Sequence, residues 1–274
     1  MRYGLIGEKL GHSYSKLIHE RLADYQYELI PLTREEFVSF MEARDFTAIN
    51  VTIPYKQAVI PYLDELHPLA QKIGAVNTVI NRTELDSQYH KMNQQEGSPV
   101  MDIKSRLIGY NTDYYGFGYM LRHHDILVKD KKCLVLGDGG TSHTVRTLLK
   151  DLGAGELLIV SRHDTEDTIT YEECYRNHAD AQIIINTTPC GMYPNMDASP
   201  LDLTGFLKCE AVLDAIFNPL QTRFALQAQS LGMKAVTGLE MLVAQAKQAV
   251  EYFLDQELPE EIIDKIYKEL LEIR

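Results

Sequence analysis

The chain has 274 residues, 45 % of them hydrophobic, and a formal net charge of -12. That length supports a real core and more than one domain. The acidic balance excludes the basic surface a general nucleic-acid binder needs, and no apolar run approaches the roughly 18 residues that cross a bilayer.

The first elements alternate in short periods. Tyr3–Ile6 reads as a strand and Ser15–Ala23 as a helix; Tyr25–Leu29 is a second strand. Thr33–Ala43 reads as a helix opened by a capping box, with Thr33 at the cap and Glu36 three residues on. Ala48–Ile53 is a strand that breaks at Pro54, Tyr55–Leu66 is helical, and Ala75–Arg82 is a strand. Residues 84–105 interrupt this pattern with polar, weakly periodic sequence and are expected to form an exposed, mobile hairpin or insertion before a strand resumes at Leu107–Tyr110.

A second series starts at Lys131. The run KKCLVLGDGG is a strand entering glycines, and Thr141–Leu152 is the helix that follows. Strands are expected at Glu156–Val160, Ala181–Asn186, Ala211–Asp214 and Lys234–Val236, with helices at Ile169–Asn177 and Thr222–Ser230 between them. This is a doubly wound unit. Leu239–Phe253 and Glu257–Ile273 read as two amphipathic helices. The fold class is therefore α/β in two domains. The four cysteines show no CxxC spacing, so reduced thiols in a cytoplasmic protein are expected.

Chemistry is expected where strands end in polar residues. Gly137, Gly139 and Gly140 follow a strand and open a helix, with Thr141 and Ser142 next. Gly137 permits the tight turn, Gly139 lets a pyrophosphate approach the backbone, and the helix amides point at it. Asp138 within this loop is expected to face solvent. The next strand ends at Ser161 and Arg162; an arginine fork suits a 2′-phosphate, so NADP is expected, while the acidic Asp164, Glu166 and Asp167 leave NAD open. In the first domain, Lys56 stands in the first turn of a helix, where a cation is poorly placed. Asn77 interrupts an apolar strand, Asp113 follows another and doubles as a candidate helix cap, and Ser13 and Ser15 flank a helix start suited to a carboxylate. His12 and His19 have no third ligand at sensible spacing, and no metal is expected.

The stretches GEKLGHSYSKLIH, NVTIPYK, GAVNTV, GYNTD, VLGDGGTS, NTTPCGMYPN, DAIFNPLQT and GLEMLVAQAKQAVEYF occur in this order from the first to the last quarter of the chain. Together they resemble the shikimate dehydrogenase family, including its shikimate/quinate branch. The resemblance implies a catalytic α/β domain at 1–113, completed by helices of 239–274, and a Rossmann-type nucleotide domain at 114–238. It implies NADP-dependent interconversion of 3-dehydroshikimate and shikimate on the route to aromatic amino acids. The small-molecule substrate is expected without nucleic-acid or membrane partners, in a monomer or homodimer.

Residue by residue, the resemblance implies that Lys56 and Asp113 serve the hydroxyl being oxidised and that Ser13 and Ser15 bind the substrate carboxylate. Thr52, Asn77 and Gln245 match residues that hold ring hydroxyls; Gly238 falls where backbone meets the nicotinamide, and Thr187, Thr188 and Met192 line the cofactor cleft. The chain departs from the family pattern in the long 84–105 stretch, in Lys16 for proline, Glu20 for asparagine, Ser161-Arg162-His163 at the cofactor strand end and Phe217 for tyrosine. Two alternatives therefore stay open: an NAD-preferring quinate/shikimate dehydrogenase, and a ligand-sensing protein on the same fold without turnover.

Overall fold

The computed structural model describes residues 2–11, 13–85, 103–163 and 165–273. The elements of the first half are β1 (Tyr3–Gly7), α1 (Ser15–Leu22), β2 (Tyr27–Pro31), α2 (Arg34–Ala43), β3 (Ala48–Val51), α3 (Tyr55–Ala58), β4 (Glu65–Leu66), α4 (Pro68–Ile73), β5 (Thr78–Leu85), β6 (Ile103–Tyr110) and α5 (Asp113–His123). The second half holds β7 (Cys133–Leu136), α6 (Gly140–Asp151), β8 (Leu157–Val160), α7 (Tyr171–Asn177), β9 (Ile183–Asn186), β10 (Ala211–Asp214), α8 (Arg223–Ser230), β11 (Lys234–Thr237), α9 (Leu239–Leu254) and α10 (Glu261–Glu272).

The chain divides into two compact units: Met1–Asn111 with Ala249–Gln256, and Thr112–Gln248 with Glu257–Arg274. The sequence expectation grouped all of 239–274 with the first domain; the division assigns only 249–256 to it.

The first unit is a six-stranded sheet in the order β2-β1-β3-β5-β6-β4. β1 pairs in parallel with β2 and β3, while β5 runs antiparallel to both β3 and β6. Side chains alternate across a strand, and here both faces are covered. Ile6, Ile49 and Val79 pack on one face with Phe37, Met41 and Val59. Leu5, Ala48 and Ile80 pack on the other with Tyr27, Ala249 and Phe253. Double coverage explains why these strands read as unbroken apolar runs. The α2 capping box is present, with the Glu36 amide donating to Thr33 Oγ1 and the Thr33 amide to Glu36 Oε2. Such a cap contributes on the order of 1 kcal/mol.

Two expectations change. The helix expected over Tyr55–Leu66 is only the four-residue α3 and a 3-10 turn at Ile60–Tyr62 before the chain extends into β4. Pro61 lacks an amide hydrogen and stops the helix. The interruption expected at 84–105 begins and ends as ladder: β5 and β6 pair from Thr78↔Tyr110 to Leu85↔Ile103. Residues 86–102 lie outside the described residues.

The second unit has five strands, all parallel, in the order β11-β10-β9-β7-β8. Val135, Ile185 and Leu213 face Phe117, Val145 and Leu149; Leu134, Ile184 and Val212 face Phe206, Phe224 and Ala228. The strand order reverses at β7, whose neighbours are β8 and β9. Cys133, Cys174 and Cys209 are buried free thiols and Cys190 is partly exposed. Among the described residues no helix is long and apolar enough to cross a membrane.

Candidate active site

In the first unit the register collects the polar residues at one end of the strands. β1 and β3 run parallel and end beside one another, at Ile6↔Val51. Because β5 is antiparallel, its first residue, Thr78, lies opposite Asn50 of β3 and Tyr110 at the end of β6. Thr52 and Lys56 follow β3, Asn77 precedes β5 and Asn111 follows β6, all at that end. The Thr52 amide donates to the Ile6 carbonyl at 2.9 Å, and the Val76 amide donates to the Lys56 carbonyl at 2.8 Å. The Asn111 amide group donates to the Ala75 carbonyl at 2.9 Å. Lys56 is half-buried, in the first turn of α3.

Asn77 is buried and held from behind by residues that sequence reading missed. The Tyr27 hydroxyl donates to Asn50 Oδ1 at 2.6 Å. Asn50 Nδ2 donates to the Asn77 carbonyl at 3.2 Å and to Thr78 Oγ1 at 3.1 Å. Thr78 Oγ1 in turn donates to Asn77 Oδ1 at 3.1 Å. A buried asparagine needs such partners, but Asn50 in NVT looks like any polar residue at a strand end until its tyrosine is known.

Ser13 and Ser15 lie on the turn entering α1, where the Ser15 amide donates to Ser13 Oγ at 3.2 Å. Behind them His19 is fully buried and stacked on Tyr27 at 4.0 Å, with Nδ1 2.8 Å from the Tyr25 hydroxyl. Burial pushes its pKa down to about 3, so it is a neutral packing residue. His12 lies outside the described residues.

In the second unit Asp113 is buried as the first residue of α5, one residue after the Thr112 cap rather than as the cap itself. A carboxylate is favourable in that turn. Thr112 Oγ1 donates to Gln245 Oε1 of α9 at 3.2 Å. α5 and α9 approach so closely at Gly116 that a Cβ there would sit 2.7 Å from the Met241 carbonyl oxygen and 2.9 Å from Gln245 Cβ. The structure thus brings Asp113 and Gln245 onto neighbouring helices.

The carboxyl ends of the parallel strands gather the remaining residues. Leu136 pairs with Val160 and Asn186, Asn186 with Asp214, and Asp214 with Thr237. Gly137–Ser142, Ser161–Arg162, Thr187–Thr188 and Gly238 follow directly on these ends. Gly137 has φ +97, and a Cβ on it would lie 2.8 Å from Thr188 Cγ2. The Thr187 hydroxyl donates to the Leu136 carbonyl at 2.6 Å. This crevice between β7 and β9 is the switch point where open α/β sheets bind ligands.

The residues fit a dinucleotide. A Cβ on Gly139 would meet no atom within 4 Å, so protein packing does not require that glycine, whereas a close-lying phosphate would. Gly139 caps α6 without a side-chain hydrogen bond, leaving the first helix amides to an anion. Asp138 is exposed and turns back along α6 to Arg146, at 3.0 Å. Ser161 is half-buried, its hydroxyl accepting from the His163 amide at 3.2 Å, while Arg162 and Met192 are exposed. Gly238 is buried, and its amide donates to the Ile216 carbonyl at 2.9 Å. Asp164 lies outside the described residues.

Sequence reading passed over Asp214, which is fully buried at the end of β10. Its Oδ1 accepts from Asn186 Nδ2 at 3.0 Å and from the Ile216 amide at 3.1 Å, and its Oδ2 from Thr222 Oγ1 at 2.6 Å. Burial pushes its pKa up to about 6, against the lowering effect of these three donors.

Residues 5–79 match the shikimate dehydrogenase substrate binding domain. The shikimate dehydrogenase (NADP(+)) of Clostridium beijerinckii is 37 % identical over 282 residues, covering 97 % of this chain and 96 % of that protein. The crystal structure of shikimate dehydrogenase 1 from Peptoclostridium difficile superposes with TM-score 0.84 at 34 % identity, covering 98 % of each chain. That of shikimate 5-dehydrogenase from Thermus thermophilus, in complex with NADP(H) and shikimate, gives TM-score 0.79 at 28 % identity, over 98 % of this chain and 99 % of that one.

Proposed function

The chain belongs to the shikimate dehydrogenase family, and from that premise we infer that it catalyses the NADP-dependent, reversible reduction of 3-dehydroshikimate to shikimate in aromatic amino acid biosynthesis. The observation that carries this is identity of 37 % to a shikimate dehydrogenase (NADP(+)) sustained over 97 % of the chain. We place the reaction in the cytoplasm, in a monomer or homodimer.

When bound, NADPH supplies hydride to the ketone carbon. The protein supplies the proton to its oxygen. Lys56 is our proton donor: its ammonium both gives the proton and stabilises charge growing on that oxygen. In the oxidative direction it accepts the proton back. By the same resemblance, Asp113 serves a ring hydroxyl of the substrate. Thr52, Asn77 and Gln245 hold the ring hydroxyls, and Ser13 and Ser15 take the carboxylate. The hydrogen bond from Thr78 Oγ1 to Asn77 Oδ1, with Thr78 itself held by Asn50, favours this reading, because a binding amide must not rotate. Gly137, Gly139, Gly140, Thr141 and Ser142 would cradle the pyrophosphate, Ser161 and Arg162 would meet the adenosine end, and Thr187, Thr188, Met192 and Gly238 would bound the nicotinamide side.

The departures at Ser161–His163 and Phe217 favour testing quinate and NAD⁺ beside shikimate and NADP⁺. The experiment is the rate of reduced-nicotinamide absorbance for the four pairs with purified protein. Fastest turnover of shikimate with NADP⁺ is expected. Preference for quinate with NAD⁺ moves the chain to the broader branch of the family, and absence of turnover in folded protein refutes the dehydrogenase reading.

A further inference from the structure

Beside the carboxyl end of β11, three potential metal ligands of the second unit converge. His123 ends α5, His124 caps it, and Glu240 stands in the first turn of α9. His123 Nδ1 lies 2.5 Å from Glu240 Oε1 and His124 Nε2 2.9 Å from Glu240 Oε2. One donor atom from each residue lies within 4.8 Å of the others. The Glu240 side chain is only 4 % exposed, and the histidine side chains are 45 % and 38 % exposed.

A buried carboxylate needs a compensating cation. Among the described residues no lysine or arginine pairs with Glu240; its partners are two imidazoles. Asp264, 3.9 Å from His123 Nδ1, adds negative potential rather than relieving it. Two imidazoles and a carboxylate offer the nitrogen and oxygen donors that zinc-class ions take, in the three-ligand form that leaves a position open. That position has somewhere to face. His124 and Glu240 also line a cavity of about 480 Å³, whose wall mixes Gln229, Thr237 and Tyr267 with the apolar Leu220, Val236 and Leu271 and has room for a metal-bound water.

We propose that His123, His124 and Glu240 form a binding site for a divalent transition-metal ion of the zinc class, separate from the dehydrogenase residues. The ion replaces the ring N–H hydrogen bonds to Glu240, binds the two ring nitrogens and a carboxylate oxygen, and leaves a water in the cavity. It cross-links the end of α5 to the start of α9.

The test uses the full chain, stripped with chelator and titrated calorimetrically with Zn²⁺, alongside Co²⁺ followed by its visible absorption. One Zn²⁺ per chain is expected, with a Co²⁺ spectrum of nitrogen and oxygen ligation and a thermal midpoint that rises with metal concentration. His124→Gln and the more exposed His123→Gln, checked for folding by circular dichroism, are each expected to weaken binding roughly tenfold or more. The Co²⁺ spectrum of the wild type is independent of any variant's folding. Absence of saturable binding overturns the proposal. So does thiolate charge-transfer absorption, which would put the metal on a cysteine such as Cys190, or equal affinity in the folded variants.

Discussion

Asp214 gives the second unit a pH dependence opposite in sign to that of most carboxylates. Its folded pKa is raised by burial to about 6, from an ordinary value of 3.8. Between those values the folded chain holds a proton that the unfolded chain has released. The unfolded state therefore binds fewer protons, and the Asp214 contribution to stability falls as pH rises through this window. It is greatest below the ordinary value and fully lost above about pH 6. Each pKa unit corresponds to about 1.4 kcal/mol, so the contribution changes by roughly 2–3 kcal/mol between pH 4 and 7. Other carboxylates oppose it. Asp64 is held below its ordinary value chiefly by the Arg44 hydrogen bond and loses stabilisation as pH falls. Those terms are common to the wild type and to Asp214→Asn, so the difference between their denaturant-unfolding free energies isolates Asp214. Relative to the variant, the wild type is expected to gain that stability on going from pH 7 to pH 4. A carboxyl carbon titration of Asp214 by NMR is expected to centre near 6. Parallel stability curves, or a midpoint near 4, would refute the reasoning.

Gly137→Ala must place a Cβ at positive φ and 2.8 Å from Thr188 Cγ2. Left-handed backbone and overpacking together cost roughly 2–4 kcal/mol; thermal melts are expected to show lower stability, and kinetics a raised KM for the cofactor more than for shikimate. Arg162→Ala removes an exposed guanidinium at the end of β8. Its KM for NADP⁺ is expected to rise while that for NAD⁺ stays near the wild-type value, and equal effects on both would exclude a 2′-phosphate role.

Much of this architecture is written locally. The capping box at Thr33, the glycines after β7 and the alternation of apolar runs with helical periods each need only a few adjacent residues to recognise. Where the reading failed, the cause lay across the chain. The segment after Tyr55 has apolar spacing compatible with a helix, but Pro61 and the pairing of Glu65 with Ile108 pull it into an extended path. Asn50 gains its meaning from Tyr27, and Asp214 from Asn186 and Thr222. His123 and Glu240 are 117 residues apart, a separation at which no ligand spacing can be read. The residues alone mark Lys56 and Asp113 as candidates, but their specific roles come from resemblance, since a lysine in a helix start and an aspartate after a strand are common features of surfaces as well as sites.

The central claim is that this chain reduces and oxidises its substrate with Lys56 moving the proton. The most direct measurement is shikimate oxidation by NADP⁺ in the wild type and in Lys56→Ala, with kcat and KM determined separately. Loss of a positioned general acid–base group predicts a fall in kcat of roughly 10²–10⁴-fold with a much smaller change in KM. A folded Lys56→Ala variant that turns over at the wild-type rate would contradict the account.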